Sequence, residues 1–470
     1  MNENEVERKV LEKIKPKPDE VAKINKIFTH VKSRLENKIR EYGVEAYVEL
    51  EGSVAKDTWL SGEWDLDVFV LYPKRLGKQW IKSEGFKIIF EALKDLPHEI
   101  AYAEHPYIRL NIENVEVDVV PALKHDHAWE AETVVDRTPF HTSYIKSKLS
   151  KEEKDQVRLL KRFLKGIGVY GAEIKVSGFS GYLTELLIVQ YKTFRNTLSN
   201  VAKYWKPGFV IDIEKHYPRV EDAKKRFKDQ PLIVIDPVDP KRNVAAAVSM
   251  KSLSTFIAAS KYYLKKPSLN FFYPRVEKVS VENIMENVSK RKTSLIFIVF
   301  HIPKKPADVI WGLLKRNIEN IVHMLSKFNF TIIDYDVWSD EKEKAIFIIE
   351  LEEAILPSVV KTIGPPVYLE PNASQFLEKY LASEETIAGP WIEGSRWVVL
   401  KKRKYVGAKE LLRGKLIPQC LSASLRKYVL EHGFEVYVGP EIKEFIEKAE
   451  LKDFLVFLAK FMRKKPQWLG

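Results

Sequence analysis

With 470 residues, 45% of them hydrophobic and 30% charged, the chain has the composition of a folded globular protein rather than a disordered or fibrous one, and its length suits roughly two to four domains. Lys and Arg number 77 against 65 Asp and Glu, a net charge of +12 that suits a polyanionic partner; from Lys401 to Gly470, 16 basic residues stand against 8 acidic ones, so this stretch carries +8 of the excess. The single cysteine, Cys420, excludes an intrachain disulfide, no apolar run approaches the ~18–20 residues of a membrane span, and the polar start Met1–Glu5 is unlike a signal or transit peptide; a cytoplasmic protein is expected.

From Pro18 to Tyr42, Val21, Ile24, Ile27, Phe28, Val31, Leu35 and Ile39 fall on one helical stripe that ends at Gly43. Val44–Leu50 then reads as a strand leading into the turn Gly52-Ser53. The apolar run Leu66, Val68, Phe69, Val70, Leu71 reads as a second strand, carrying Asp65 and Asp67 on one face. Phe86–Leu93 is a helix by pattern, and Tyr107–Ile112 with Val115–Val120 a hairpin turning at Glu113-Asn114. Its second arm puts Val115, Val117 and Val119 on one face and Glu116 and Asp118 on the other. This first α/β domain is expected to span residues 1–145.

Residues 146–265 are helical in pattern, opening with Val157, Leu160, Phe163 and Leu164 and continuing through Tyr182–Tyr191, with proline-bearing loops near Pro207, Pro218 and Asp236–Pro240. The Lys265-Lys266-Pro267 passage is the expected boundary to a C-terminal domain over 266–470. There Leu295–Ile302, Phe330–Trp338, Ala345–Leu351 and Trp397–Lys401 read as strands, and Ala307–Phe328 and Glu441–Lys460 as helices. The fold class expected is therefore α+β, mixed α/β and multidomain.

The chemistry concentrates in residues 52–67. A Gly-Ser turn can offer backbone N–H groups and a hydroxyl to phosphate. Twelve residues later come Asp65 and Asp67, two carboxylates side by side on a strand, a conflict that a divalent cation removes. Asp118, on a neighbouring valine-rich strand, supplies a third. Three carboxylates from two strands can hold two metal ions, one activating an attacking hydroxyl and the other steadying a triphosphate. The residues point to a metal-dependent enzyme acting on a nucleoside triphosphate.

The chain resembles the archaeal (class I) CCA-adding enzymes, tRNA nucleotidyltransferases of the polymerase-beta-type superfamily. The resemblance is carried by Gly52-Ser53-Val54-Ala55-Lys56-Asp57-Thr58-Trp59-Leu60, Asp65-Leu66-Asp67-Val68-Phe69, Val115–Pro121 and Asp136-Arg137-Thr138-Pro139-Phe140-His141. It continues through Val157–Lys161, Gly168–Glu173, Gly178–Leu183, and Asp236-Pro237 with Lys241–Ala245. These blocks span about residues 50–250; the C-terminal third is similar in overall pattern only. The resemblance implies a nucleotidyltransferase palm, a helical central domain completing the nucleotide pocket and a C-terminal region that binds tRNA. It implies Asp65, Asp67 and Asp118 as catalytic ligands of two Mg²⁺ ions, with Asp118 assisting deprotonation of the attacking hydroxyl. Ser53, Lys56, His141, Lys161 and Tyr170 would contact ATP or CTP, and Arg242 the incoming base. A homodimer is implied as well. Two positions depart from the family pattern: Asp65 stands where relatives often have Glu, and Lys56 where Arg is common, which replaces a bidentate grip on phosphate by a point charge.

Other readings of the same residues stand beside these. The Lys/Arg-rich helix bearing Lys161, with Arg158, Arg162 and Lys165, reads by composition as a solvated face. His141 suits a structural hydrogen bond, Tyr170 loop packing, and Arg242 an answer to Asp236 and Asp239. Trp391, Trp397, Tyr405 and Trp468 suit core packing singly, though beside Lys401–Lys404 they form the composition of an RNA-binding tail. The expected function is template-independent addition of CCA to the 3′ end of tRNA. Its rivals are a poly(A) polymerase or oligoadenylate-synthetase-like enzyme, a catalytically inactive RNA-binding relative, and a sugar-nucleotide glycosyltransferase.

Overall fold

The computed structural model describes residues 3–102, 105–131, 133–275, 280–449 and 451–470. The chain forms two compact units, residues 1–276 with 466–470, and residues 277–465. In the first, β1 (Tyr47–Glu51), β2 (Asp65–Pro73), β3 (His98–Tyr102), β4 (Pro106–Ile112) and β5 (Val115–Lys124) form a mixed sheet in the order β1-β2-β5-β4-β3. β2 and β5 run parallel; the remaining pairs are antiparallel.

Strand alternation separates two faces with different fates. Val68, Val70, Tyr72, Ile108, Leu110, Val117 and Val119 bury one face beneath Ile24, Ile27, Val31, Leu35 and Ile39 of the helix Pro18–Glu41 and beneath the helix Phe86–Leu93. Val21, expected on the same stripe, is exposed, because the first turn of that helix overhangs the sheet's apolar area. Gly43 takes φ +64 and ends the helix where a β-carbon would be strained. On the opposite face, Phe69, Leu71 and Ala122 make a small apolar cluster against Val135 of the helix Val134–Lys148. The polar end of that face belongs to Glu51, Asp65, Asp67, Asp118 and Arg109.

The turn Glu113-Asn114 has φ of 53° and 64°, the left-handed pair of a two-residue primed hairpin. It sets the register of β4 on β5, bringing Arg109 opposite Asp118.

The helices Glu3–Ile14, Lys151–Gly166, Gly181–Tyr191, Phe194–Tyr204 and Met250–Lys265 enclose a second core in the same unit. Its centre is Phe163, ringed by Phe194, Phe256, Tyr263, Phe271 and Phe272. A short parallel pair, β6 (Phe209–Ile211) and β7 (Leu232–Val234), flanks it. The chain therefore divides differently from the expected 1–145, 146–265 and 266–470. Residue 145 lies inside the helix Val134–Lys148, and the N-terminal helix joins the helical core through Val6, Val10 and Ile14 rather than the sheet. Phe271 and Phe272 extend this unit past residue 265, and Trp468 returns to it, stacked on Phe271 at 5.4 Å. Trp468 thus packs in a core.

In the second unit β8 (Ser294–His301), β9 (Ile332–Ser339), β10 (Lys344–Leu351) and a late strand at Phe434–Val438 form an antiparallel sheet, with β8 and β10 central. The helix Ala307–Lys327 covers one face and the helices Val281–Arg291, Glu441–Ala449 and Lys452–Arg463 the other. The single helix expected over Glu441–Lys460 is thus two, with Leu451 entering the second in a non-helical conformation. β11 (Val359–Pro366), β12 (Thr386–Glu393) and β13 (Arg396–Lys402) form a separate small sheet; the strand Phe434–Val438 is β14. Trp391 and Trp397 are half-buried on that small sheet, and Tyr405 meets Phe328 edge-on.

Candidate active site

The register of the first sheet aligns four polar residues across four strands: Glu51 pairs with Asp67, Asp67 with Asp118, and Asp118 with Arg109. One step along β2, Asp65 stands opposite Glu116. Asp67 is pushed up to about 6 by desolvation and by the negative charges of Asp118 and Asp65. Asp65 is raised as well, by desolvation and then by Asp118. The three aspartates therefore feel one another, as carboxylates awaiting a cation do. Glu51 is buried and pushed up to about 7, chiefly by that burial.

Gly52 presses directly on this group. It has φ +67, and a β-carbon built on it would lie 1.8 Å from Asp67 Oδ2. Only glycine lets the turn into Ser53, in the short helix Gly52–Lys56, approach the carboxylate so closely. The donor set is that of a hard divalent cation: oxygen ligands only, on rigid strands. A formed ligand shell is not what the side chains show. Among the described residues no group of three or more His, Cys, Asp or Glu is placed so that it could hold a metal ion. The reason is Arg109, which donates to both oxygens of Asp118, Nε to Oδ1 at 2.7 Å and Nη2 to Oδ2 at 2.8 Å. The bond to Asp118 also raises Arg109 above its ordinary pKa.

Lys56 and Lys161 meet at one fully buried acid, Glu185. Lys56 Nζ donates to Glu185 Oε2 at 2.6 Å and Thr58 Oγ1 to Oε1 at 2.5 Å; Lys161 Nζ lies 3.6 Å from Oε1 and donates to the Thr58 carbonyl at 3.0 Å. Burial alone would raise Glu185, yet Lys56 and Lys161 hold it below the usual carboxylate range. Burial pushes Lys161 down to about 8, against the pull of Glu185. The solvated face expected for this helix is overturned here: Lys161 and Arg158 are each 3% exposed, Arg158 because it donates to the Asp57 and Trp59 carbonyls and pairs with the Asp57 carboxylate. Tyr170 reaches the same place; a β-carbon on Gly181 would meet its hydroxyl at 3.2 Å and Lys161 Nζ at 4.0 Å.

His141 and Arg242 share Asp236. His141 Nε2 lies 3.0 Å from Asp236 Oδ2, Arg242 Nη1 donates to the same oxygen at 3.0 Å, and the Tyr182 hydroxyl donates to Oδ1 at 3.1 Å. Burial would raise Asp236, but its bond to His141 keeps it low; burial also lowers His141. His141 stacks on Tyr182 at 4.1 Å, and Lys56 Nζ stands 5.9 Å from the same Tyr182 ring, so the two clusters adjoin. His141 is placed by its helix, whose start is pinned: Asp136 accepts from the Leu123 N–H at 2.8 Å and from the Thr133 hydroxyl at 2.6 Å.

Sequence reasoning missed Glu185, Glu51, Tyr182 and Arg109. Glu185 had a signal, since a lone acid inside Leu183-Thr184-Glu185-Leu186-Leu187-Ile188 demands a buried partner. Arg109 had one in the hairpin arithmetic, because a two-residue turn at 113–114 sets residue 109 against 118. Glu51 and Tyr182 had none beyond lying inside or beside the blocks of resemblance.

Models of known families match the chain in three consecutive stretches: a nucleotidyltransferase domain over residues 32–145, the second domain of tRNA nucleotidyltransferase over 155–273, and the C-terminal domain of CCA-adding enzymes over 291–439. A CCA-adding enzyme of Saccharolobus islandicus (strain M.14.25 / Kamchatka #1) is 38% identical over 466 residues, covering 99% of this chain and 100% of its own. That of Sulfurisphaera tokodaii is 40% identical over 466 residues, with 99% of each chain covered. That of Methanosarcina acetivorans is 38% identical over 462 residues, covering 96% of this chain and 97% of its own.

Proposed function

The chain belongs to the archaeal CCA-adding enzymes, tRNA nucleotidyltransferases that complete the CCA end of tRNA from CTP and ATP, and from that premise we propose that Asp65, Asp67 and Asp118 hold two Mg²⁺ ions against the triphosphate. The observation that supports this most is the register pairing of Asp67 with Asp118, with Asp67 pushed up to about 6 by desolvation and like charge. Divalent metal supplies Lewis acidity at such a site, acidifying a hydroxyl and offsetting phosphate charge.

The chain's own residues supply the rest. The 3′-hydroxyl of tRNA attacks the α-phosphorus in line and pyrophosphate departs. Asp118 is the acceptor for the hydroxyl proton, and its pairing with Arg109 holds the carboxylate ionised and oriented until substrate arrives. Lys56 and Lys161 meet the triphosphate as two cations held in place by one acid, Glu185. Ser53 lies at the turn over Asp67, and Tyr170 closes on Lys161 at Gly181. The His141–Asp236–Arg242 group, backed by Tyr182, presents donors in a fixed geometry for reading the base. One well-made bidentate contact discriminates by about 1–3 kcal/mol, so pocket shape and the RNA end share the choice between C and A.

The basic stretch Lys401–Gly470 suits contact with the tRNA backbone, where A-form helices display phosphates and 2′-hydroxyls more readily than bases. No helix among the described residues is long and apolar enough to cross a membrane. The homodimer implied by the resemblance is tested by light scattering, where a mass near 54.6 kDa rather than twice that would discard it. The assay for the function itself compares CTP and ATP incorporation on tRNA lacking its terminal CCA. Incorporation of two C residues and one A is expected; A without C would return the chain to the poly(A) polymerase reading.

A further inference from the structure

A cavity of about 890 Å³ opens beside Arg242 in the first unit, near the upper end of the ~300–1,000 Å³ typical of ligand sites. Its lining includes Trp129, Arg137, Arg226, Lys228, Lys241 and Arg242, with Asp239 the one acid among the lining residues. Asp239 faces Arg137, whose Nε lies 3.5 Å away without a hydrogen bond. Among the described residues no ion pair engages Arg226, Lys228 or Lys241. The charge is therefore strongly positive and largely unanswered from within the chain. None of Ser53, Lys56, Lys161 or the three aspartates belongs to the lining. The triphosphate has its own cations elsewhere.

Two further observations define what the cavity takes. Trp129 is 65% exposed, unusual for so large an apolar ring, and it lies flat on the His127 imidazole, with centroids 4.2 Å apart and planes 10° apart. A backed, solvent-facing aromatic plane beside unpaired cations is the arrangement that receives single-stranded nucleic acid, bases on the ring and phosphates on the basic groups. The lining also contains Gln230, whose Oε1 is buried and accepts no hydrogen bond. That oxygen is an acceptor suited to the exocyclic amine of cytosine or adenine.

We propose that this cavity holds the unpaired 3′-terminal nucleotides of the tRNA, one base stacked on Trp129 and the backbone phosphates met by Arg226, Lys228 and Lys241. The inference rests on the tRNA-extending function above and names the part of that substrate the cavity takes. A free nucleotide shares the same chemistry of base and phosphate. The strand is favoured because the cations are spread along the cavity rather than gathered for one triphosphate.

The test measures equilibrium binding of two labelled RNA hairpins to the full chain. One carries an unpaired 3′ tail ending in CC, and the other ends flush with its stem. Trp129→Ala should weaken the tailed hairpin about tenfold, within what stacking of one base supplies, and leave the flush one and the KM for CTP and ATP within about twofold. Lys228→Ala should lower the salt slope for the tailed hairpin by about one. Equal losses on both hairpins, no loss on either, or a rise in nucleotide KM instead would each overturn the proposal; the last would assign the cavity to a free nucleotide. Normal CCA addition with unchanged tail binding would sink this inference alone. Tail binding as expected without incorporation of C would sink the functional reading alone.

Discussion

Asp67 and Glu185 are two acids of the same unit in opposite surroundings. Glu185 lies wholly inside the helical core, yet two lysines and a threonine hydroxyl hold it below the ordinary carboxylate range. Asp67, half-buried on the sheet, faces the like charges of Asp118 and Asp65 and is pushed up to about 6. Glu350 in the second unit follows Glu185: it is fully buried, paired with Arg291 and Lys464, and bonded to Thr293. A folded chain pairs an acid that only supports structure. It leaves acids crowded together where the missing charge arrives with a ligand.

The contrast is broken most directly by Asp67→Ala. Nucleotide transfer should fall by at least about 10²–10³-fold while tRNA affinity stays within about twofold; a filter-binding titration beside the incorporation assay separates the two. Substantial residual transfer would remove Asp67 from the ligand set. Gly52→Ala should come close behind, since its β-carbon would displace the Asp67 carboxylate from 1.8 Å and its φ of +67 adds roughly 1–2 kcal/mol of strain. Transfer should collapse with a fall in Tm of only several degrees.

Glu185→Gln strips the pairing side of the comparison, leaving Lys56 and Lys161 with a neutral amide. The alkaline limb of kcat/KM for CTP, which reports on the free enzyme, should begin near pH 8 in the wild type as Lys161 loses its proton, because burial sets it at about 8. Glu185 raises Lys161, so its removal should move that limb to lower pH and raise the KM for CTP about tenfold at pH 7.5. A limb that stays in place would mean that Lys161 does not meet the triphosphate.

The smallest effect is on stability. The folded value of Asp67, about 6, exceeds its ordinary 3.8, so the folded state binds the proton more tightly and stability falls as pH rises from about 4 to about 6. In metal-free protein Asp67→Asn should match the wild type below pH ~4 and exceed it above pH ~6 by at most roughly 3 kcal/mol, less with solvent screening. Mg²⁺ should then raise the Tm of the wild type and not that of the variant. Thermal scans with and without the ion decide it.

Much of this was legible in the chain itself. The strand bearing Asp65 and Asp67 and the turn at Glu113-Asn114 follow from alternation and turn chemistry, which act between near neighbours. The blocks from Gly52 to Ala245 carry the family, and three full-length relatives at 38–40% identity agree with it. The helix bearing Lys161 misled because its Lys/Arg content matches a solvated face. What buries it is Glu185, on another helix, together with the carbonyl of Thr58, on a loop after the Gly-Ser turn.

By itself, then, the order of residues determined which side chains share a strand face, where the hairpin turns, and that an acidic pair lies just beyond a glycine turn. These depend on periodicity and dihedral preference over a few residues. Only the folded unit decided that Arg109 occupies both oxygens of Asp118, that Lys56 and Lys161 converge on Glu185, and that His141 and Arg242 share Asp236. Those pairings join residues up to 129 positions apart, and a buried charge finds its partner through packing, which no local pattern records.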